Sequence, residues 1–227
     1  RTISAMVGKG SVNHNSRKFR AENVDGTRTH LNIDYCNENI KTVYHELFDE
    51  ALERYNAKQT RSDRKIKDYY EKIRSSKQEK PFREIILQVG GKGNMNADTE
   101  NGELAKQVLD EYYQGFQERN PQLRVFSAHL HMDEATPHLH IDFVPFTTGS
   151  KRGLDTRVSL KQALATQGFK GGSRGDTEWS QWVQSEKEQL AAVMERYGIE
   201  WEHKGTHEKH LSVLDYKNRK EKKKLLF

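Results

Sequence analysis

Residues 129–140 read HLHMDEATPHLH, and this stretch constrains the fold more than any other in the chain. Two runs of strict apolar–polar alternation flank an acidic link that closes on a proline. In a strand, residues two apart share a face. With residues 125–131 as one strand, Phe126, Ala128 and Leu130 form its apolar side, and Ser127, His129 and His131 its polar side. With residues 138–144 as the next, Leu139, Ile141 and Phe143 oppose His138, His140 and Asp142. Residues 132–137 then close a hairpin. A symmetric ladder sets His131 opposite His138 and His129 opposite His140, with Cβ atoms ~4.5–5.5 Å apart. Four imidazoles share one patch, and helices must cover the other side.

The rest of the chain supplies those helices. Apolar residues at Ile40, Val43, Tyr44, Leu47, Phe48, Ala51, Leu52 and Tyr55 fall on one helical face. Leu104, Val108, Tyr112 and Phe116 mark a second helix, and Trp179 to Tyr197 a long third one ended by Gly198. Ser159 to Gln162 has a capping-box pattern that begins a short helix. Residues 30–35 alternate as a strand, with Leu31, Ile33 and Tyr35 on the buried side. Residues 84–89 alternate likewise, with Ile85, Leu87 and Val89 inward. Residues 61–80 are rich in Lys and Arg with interleaved Ile66, Tyr69, Tyr70 and Ile73, and read as a weakly amphipathic basic helix. Residues 1–29 are polar, with turn signals at Gly8, Gly10 and Asp25–Gly26. Amphipathic rather than wholly apolar strands indicate an α+β fold: an antiparallel sheet with helices packed mainly on one face and a metal-dependent site on the other.

Composition bounds the chemistry. The 227 residues carry a formal charge of +5, which suits a polyanionic partner. With Cys36 as the sole cysteine, a disulfide framework and a cysteine-based zinc site are both excluded within the chain. No apolar run is long enough to span a membrane, and no signal peptide is visible. The chain opens without Met and closes in a Lys/Arg run, so it is expected to continue beyond both ends. Convergent neutral imidazoles are what a divalent transition metal requires, and a three-histidine site leaves positions for substrate oxygen and water. Histidines that merely fill polar sheet positions are the plainer alternative; two facing triplets with carboxylates between them favour metal.

The stretch from His131 to His140 resembles the HxDExTPHxH signature of the Mob/Pre (MobV) family, plasmid mobilisation relaxases within the His-hydrophobic-His superfamily of single-strand nicking enzymes. Asn13-His14-Asn15-Ser16-Arg17 is similar to that family's HNxR segment, and Thr29-His30-Leu31-Asn32 to its HLN strand. A weaker similarity runs from Lys204-Gly205 through His210 to Tyr216-Lys217. The resemblance implies a relaxase domain over residues 1–215 and the start of a charged helical region over 216–227. It implies His131, His138 and His140 as metal ligands, Glu134 as acid/base partner, His14 as nucleophile and Arg17 as a phosphate or DNA contact. His129 departs from the pattern; with Asp133 it is a candidate extra ligand or supporting donor. Mn²⁺ is the expected ion, with Mg²⁺ the alternative in vivo. The implied partner is single-stranded or hairpin origin-of-transfer DNA in the bacterial cytoplasm. Coupling or accessory nicking proteins, and oligomerisation through a C-terminal region, belong to the same picture.

Transesterification needs a nucleophile, charge neutralisation and a stabilised leaving oxygen. His14 sits in a polar segment without apolar periodicity, and Glu134 or Asp133 is placed to hold its other nitrogen. Tyrosines such as Tyr35 are the rival nucleophiles, although Tyr35 alternates onto the apolar face. Arg28, Arg61, Arg64, Lys65, Lys67 and Arg74 are candidate phosphate contacts, with Tyr69 as a stacking platform and Lys151, Arg152 and Arg174 on loops. A rolling-circle initiator or single-strand transposase of the same superfamily, and a non-catalytic metal-stabilised DNA-binding module, are the competing readings.

Overall fold

A computed structural model describes residues 1–203. Strands β1 (Ile3–Val7), β2 (Ile33–Asn37), β3 (Arg83–Val89), β4 (Leu123–His131), β5 (His138–Thr147) and the two-residue β6 (Arg157–Val158) form one antiparallel sheet. Its order is β1-β3-β5-β4-β2, with β6 pairing beyond on β5. The histidine hairpin therefore occupies the two strands furthest from an edge on one side and next to β2 on the other. Among the described residues no helix is long and apolar enough to cross a membrane.

Helices α1 (Val12–Asn15), α2 (Ile40–Ala57), α3 (Tyr69–Arg74), α4 (Glu100–Gln114), α5 (Phe116–Arg119), α6 (Leu160–Thr166) and α7 (Glu178–Arg196) complete the fold. Their starts follow the expected chemistry. The side chains of Asn39, Thr99, Ser159 and Thr177 each accept a backbone N–H of the first turn, satisfying donors that the helix itself leaves open. Gly198 ends α7 with φ +71°, a left-handed position that costs glycine nothing.

The larger core lies on the face formed by Ile85, Leu87, Val89, Ala128, Leu130, Leu139, Ile141 and Phe143. It packs against Val108, Leu109 and Tyr112 of α4, Ala163 and Leu164 of α6, and Trp182, Leu190 and Met194 of α7. A smaller core covers one end of the opposite face, where Val43, Tyr44 and Phe48 of α2 and Tyr69 and Ile73 of α3 meet Phe126 and Val144. Phe126 is a correction to simple alternation. The register of β4 against β5 slips between Val125 and Ser127. This bulge turns Phe126 away from Ala128 and Leu130 while leaving the histidine parity intact. The polar face is thus divided, with an apolar cluster at one end and the histidines at the other.

Three further expectations change. β1 arises from a segment read as polar and irregular. Residues 29–31 form a 3-10 turn rather than strand, which leaves Leu31 exposed and starts β2 at Ile33. Residues 61–80 hold only a 3-10 turn at Ser62–Arg64 and the six-residue α3, so there is no long basic helix. The expected match at 204–217 and the charged tail lie outside the described residues.

Candidate metal and strand-cleavage centre

The ladder pairs His131 with His138 and His129 with His140. Three of these imidazoles are gripped from behind. His138 Nδ1 lies 2.8 Å from the Thr136 carbonyl, His131 Nε2 2.8 Å from the Asn15 carbonyl, and His140 Nδ1 2.6 Å from Glu84 Oε1. Such oxygens only accept, so each of those nitrogens carries the ring proton. The other nitrogen of each ring is a lone pair. His131 Nδ1 and His138 Nε2 face each other at 3.3 Å, and His140 Nε2 is buried with no partner. Two facing acceptors repel unless a cation lies between them. A proton is a poor choice: burial first, and neighbouring histidines and Arg17 next, hold the pKa values of His131 and His140 far below 6.5. The ligand atoms of His131, His138 and His140 lie within 4.8 Å of one another. Three oriented ring nitrogens, each with its ring's N–H anchored behind it, are the donor set of a divalent metal site with open positions.

His129 does not join this trio. It is buried, its Nδ1 2.6 Å from Asp34 Oδ1 and its Nε2 3.1 Å from Ser127 Oγ. Both nitrogens are engaged, so it is neither a fourth ligand nor a DNA contact; it is a satisfied core histidine beside the site.

The N-terminal segment supplies the next layer. After β1, Gly8 passes so close to Glu84 that a Cβ there would lie 1.8 Å from Oε2, and the Gly10 amide donates to that oxygen at 2.7 Å. This close approach feeds α1 onto the histidine face. His14 lies with ring centroids 6.1 Å from His131 and 6.3 Å from His140. Its Nε2 is 3.6 Å from Glu134 Oε1 and 3.4 Å from Arg17 Nη1. The carboxylate therefore approaches Nε2, the nitrogen that Arg17 also reaches. Burial lowers the His14 pKa; Glu134 opposes this, and Arg17 and His138 reinforce it, leaving a net value below 6.5 and a neutral ring at neutral pH.

Arg17 is folded inward rather than free for phosphate. Its Nε donates to Asp133 Oδ2 at 2.9 Å, and its Nη2 reaches Asp133 Oδ1 and, at 2.9 Å, Glu134 Oε1. The residue takes φ +56°, a left-handed conformation that an arginine adopts only when its surroundings fix it. Asp133 also accepts from Thr29 Oγ1 and Asn32 Nδ2, so its oxygens join three segments; with His131 and Glu134 it also forms a second group whose ligand atoms lie within 4.8 Å of one another. Burial alone would raise its pKa; the hydrogen bonds from Arg17, Asn32 and Thr29 overcome this and hold it at about 2. Glu134 is steadied by Arg17 and by Asn23 Nδ2 at 2.6 Å, and its Oε1 stands 3.6 Å from His138 Nε2 and 4.0 Å from His131 Nδ1.

Sequence reading missed Asn15, Glu84 and Asp142. Asn15 Nδ2 donates to Glu84 Oε1 at 2.7 Å and to Asp142 Oδ2 at 3.0 Å. Burial, and then the charge of Glu84, push the Asp142 pKa up to about 7. The available signal was parity: Glu84 and Asp142 are acids on the polar side of two alternating strands, and they pair directly in the ladder.

Tyr35 is on the other side of the sheet. Its ring packs on Tyr113 at 4.0 Å and its hydroxyl donates to Asp110 at 2.7 Å, with burial raising its pKa. Tyr69 is also corrected: it is buried in the smaller core, and its hydroxyl accepts the Val158 amide, so it offers no stacking face. Arg61 and Arg74 are exposed but paired with Asp63 and Glu71. Arg64, Lys65 and Lys67 line a shallow groove of about 440 Å³ with Lys72. Arg28 donates to the Ala97 carbonyl and borders a cleft of about 340 Å³ that reaches Glu134, together with Asn23, Lys92 and Asn96. Lys151 and Arg152 line a pocket beyond Thr147, at the end of β5 away from His138, and Arg174 is exposed on the loop before α7.

The model of the plasmid recombination enzyme family, Mob/Pre, matches residues 11–218. The chain belongs to that family. Plasmid recombination enzymes type 3 from Staphylococcus aureus and from Mammaliicoccus lentus are each 27% identical over 157 residues, covering 67% of this chain and 33% of theirs. The chain thus spans about a third of the length of these curated relatives. A Mn-bound crystal structure of the MobM relaxase domain with plasmid pMV158 oriT DNA superposes with a TM-score of 0.55 at 21% identity, over 96% of this chain and all of that one. A second, with a 3′-thiophosphate oligonucleotide, gives 0.55 over 96% and 99%. This Mob/Pre chain therefore shares the relaxase-domain fold.

Proposed function

We propose that this Mob/Pre chain is a relaxase that cuts one strand of single-stranded or hairpin-bearing transfer-origin DNA, stays joined to the 5′ phosphate, and later reseals the strand. The supporting observation is that a neutral imidazole, His14, stands beside three inward lone pairs and a carboxylate. His131, His138 and His140 would hold a divalent ion, Mn²⁺ by preference, because the similar MobM relaxase domain is Mn-bound and the open positions would take the oxygen ligands that suit this ion. When bound, that ion supplies charge neutralisation on the phosphate and stabilises the leaving 3′ oxygen.

The chain's own residues account for the remainder. The lone-pair nitrogen of the neutral His14 ring attacks phosphorus, and Glu134, 3.6 Å from Nε2, takes the proton from the ring's other nitrogen as positive charge develops on the imidazole. A P–N bond forms, the P–O3′ bond breaks, and the 3′ oxygen leaves with the bonding electrons and receives that proton from Glu134. Arg17 holds Glu134 in place and, through Nη1, the backbone of His14. Resealing is the reverse, with the 3′ hydroxyl displacing the imidazole. The proposed setting is the bacterial cytoplasm.

The test is the chemistry of the adduct. The protein is mixed with a single-stranded origin oligonucleotide and Mn²⁺, and the covalent complex is split between mild acid and neutral buffer. A phosphoramidate releases DNA in acid, whereas a tyrosyl phosphodiester survives. Acid release, loss of adduct in His14→Ala and retention in Tyr35→Phe are expected. An acid-stable adduct that persists in His14→Ala refutes the assignment.

A further inference from the structure

Asn15 follows the attacking histidine by one residue, and its polar groups turn inward. Its side chain is 1% exposed. One amide nitrogen bridges two carboxylates, Glu84 at 2.7 Å and Asp142 at 3.0 Å. The Asn15 carbonyl takes the His131 Nε2 proton at 2.8 Å, and Glu84 Oε1 takes the His140 Nδ1 proton at 2.6 Å. The residue carrying the nucleophile's C-terminal peptide bond is therefore one hydrogen bond from one ligand and two from another. Helix α1 has four residues and no side-chain cap, so it cannot hold His14 by its own stability. The nearly equal ring separations to His131 and His140, 6.1 and 6.3 Å, match a nucleophile suspended between those two anchors.

We propose that Asn15 is a positioning residue that sets the spacing between the attacking imidazole and the metal-binding trio. This rests on the relaxase reading above and deepens it. The residue type follows from the task. An amide can donate toward two acidic partners without adding charge, and its backbone carbonyl remains free for His131. Aspartate has the same shape but no N–H and would add a third carboxylate; alanine has neither donor nor reach. The effect belongs to geometry: the ligands sit on β4 and β5, His138 and His140 keep their anchors at Thr136 and Glu84, and the residue 15 carbonyl that holds His131 is present in every variant, while α1 loses its side-chain attachment.

The experiment follows adduct formation in single turnover with the full 227-residue chain, titrating Mn²⁺ and the oligonucleotide separately for wild type, Asn15→Ala and Asn15→Asp. A misplaced nucleophile lowers the limiting rate by roughly 100-fold in both variants, while the half-saturating Mn²⁺ and DNA concentrations stay within about threefold. Asn15→Ser, with one donor on a shorter arm, should fall between, and it carries the comparison if Asn15→Ala does not melt cooperatively. A limiting rate within about threefold of wild type overturns the inference, as does a loss that saturating Mn²⁺ restores. Wild-type activity in Asn15→Asp overturns it too, because the donors would then be dispensable. If the wild type forms no acid-labile adduct, the relaxase reading fails and takes this inference with it. An adduct that forms regardless of Asn15 sinks this inference alone.

Discussion

Replacing Arg17 by alanine tests whether the inward-folded guanidinium holds the N-terminal segment to the hairpin link. The pair it makes with Asp133 is nearly sealed from water, with side-chain exposures of 8% and 0%. Asp133 sits at about 2 against an ordinary 3.8, and at ~1.36 kcal/mol per pKa unit that depression is worth about 2.5 kcal/mol, shared among Arg17, Asn32 and Thr29. Removing one partner of a buried pair costs ~3–5 kcal/mol because the other charge is stranded. Here Asn32 and Thr29 remain, so about 2–3 kcal/mol is expected, or roughly 5–10 °C in Tm for a domain of this size. The sign with pH is fixed by the depressed value. Stability from this carboxylate is fully present above its unfolded pKa and disappears as pH falls through the folded one; about half is gone by pH 3. Urea unfolding at pH 7, 5 and 3 should show the gap between wild type and Arg17→Ala constant at the first two and clearly smaller at the third. Arg17→Gly should be less damaging than Arg17→Ala by about 1 kcal/mol, because φ +56° is free of strain only for glycine. A gap under about 1 kcal/mol at pH 7, or one that does not shrink at pH 3, would refute the role of the pair.

Two further outcomes are expected. Chelation should abolish adduct formation yet leave cooperative unfolding, since two apolar cores hold the sheet without the ion; with Mn²⁺ at ~100 times its Kd the Tm should rise by about 5–10 °C, and collapse of the fold on chelation would point instead to a structural site. Binding of a single-stranded origin oligonucleotide should weaken with salt, and neutralising Arg64, Lys65 and Lys67 together should flatten the log–log slope by about 2, given ~0.7 per phosphate contact; an unchanged slope makes that groove a solvated surface.

The fold and the histidine geometry were legible wherever periodicity was strong. The hairpin ladder, β3, α2, α4 and α7 follow from alternation and helical spacing, because one-sided burial imposes those periods directly. What stayed hidden is set by tertiary context. β1 is five residues on a sheet edge with little alternation to mark it. The bulge at Phe126 is a local slip that no composition betrays. Residues 61–80 look helical by charge and apolar spacing, yet Ile66 and Tyr69 are fixed by α2, not by a continuous helix. Tyr69 was misread for the same reason: an aromatic among lysines resembles a DNA platform until a neighbour buries it. Within the site, the residues found were those with distinctive chemistry in one stretch. Asn15, Glu84 and Asp142 were missed because their meaning depends on three distant segments meeting.

Strand order assigns different mechanical security to the two halves of the centre. The imidazole trio belongs to β4 and β5, each hydrogen-bonded to a neighbour on both sides. His14 hangs from an edge strand by a glycine-spaced connection and one four-residue turn of helix. Native proteins open from such edges at lower free energy than from the middle of the sheet. Warmth or mild denaturant is therefore expected to release His14 while the three-histidine cluster on the central strands is still held. On the relaxase reading proposed above, the first casualty of loosening is adduct formation, in a molecule whose histidine cluster stays assembled and whose central strands still resist amide exchange.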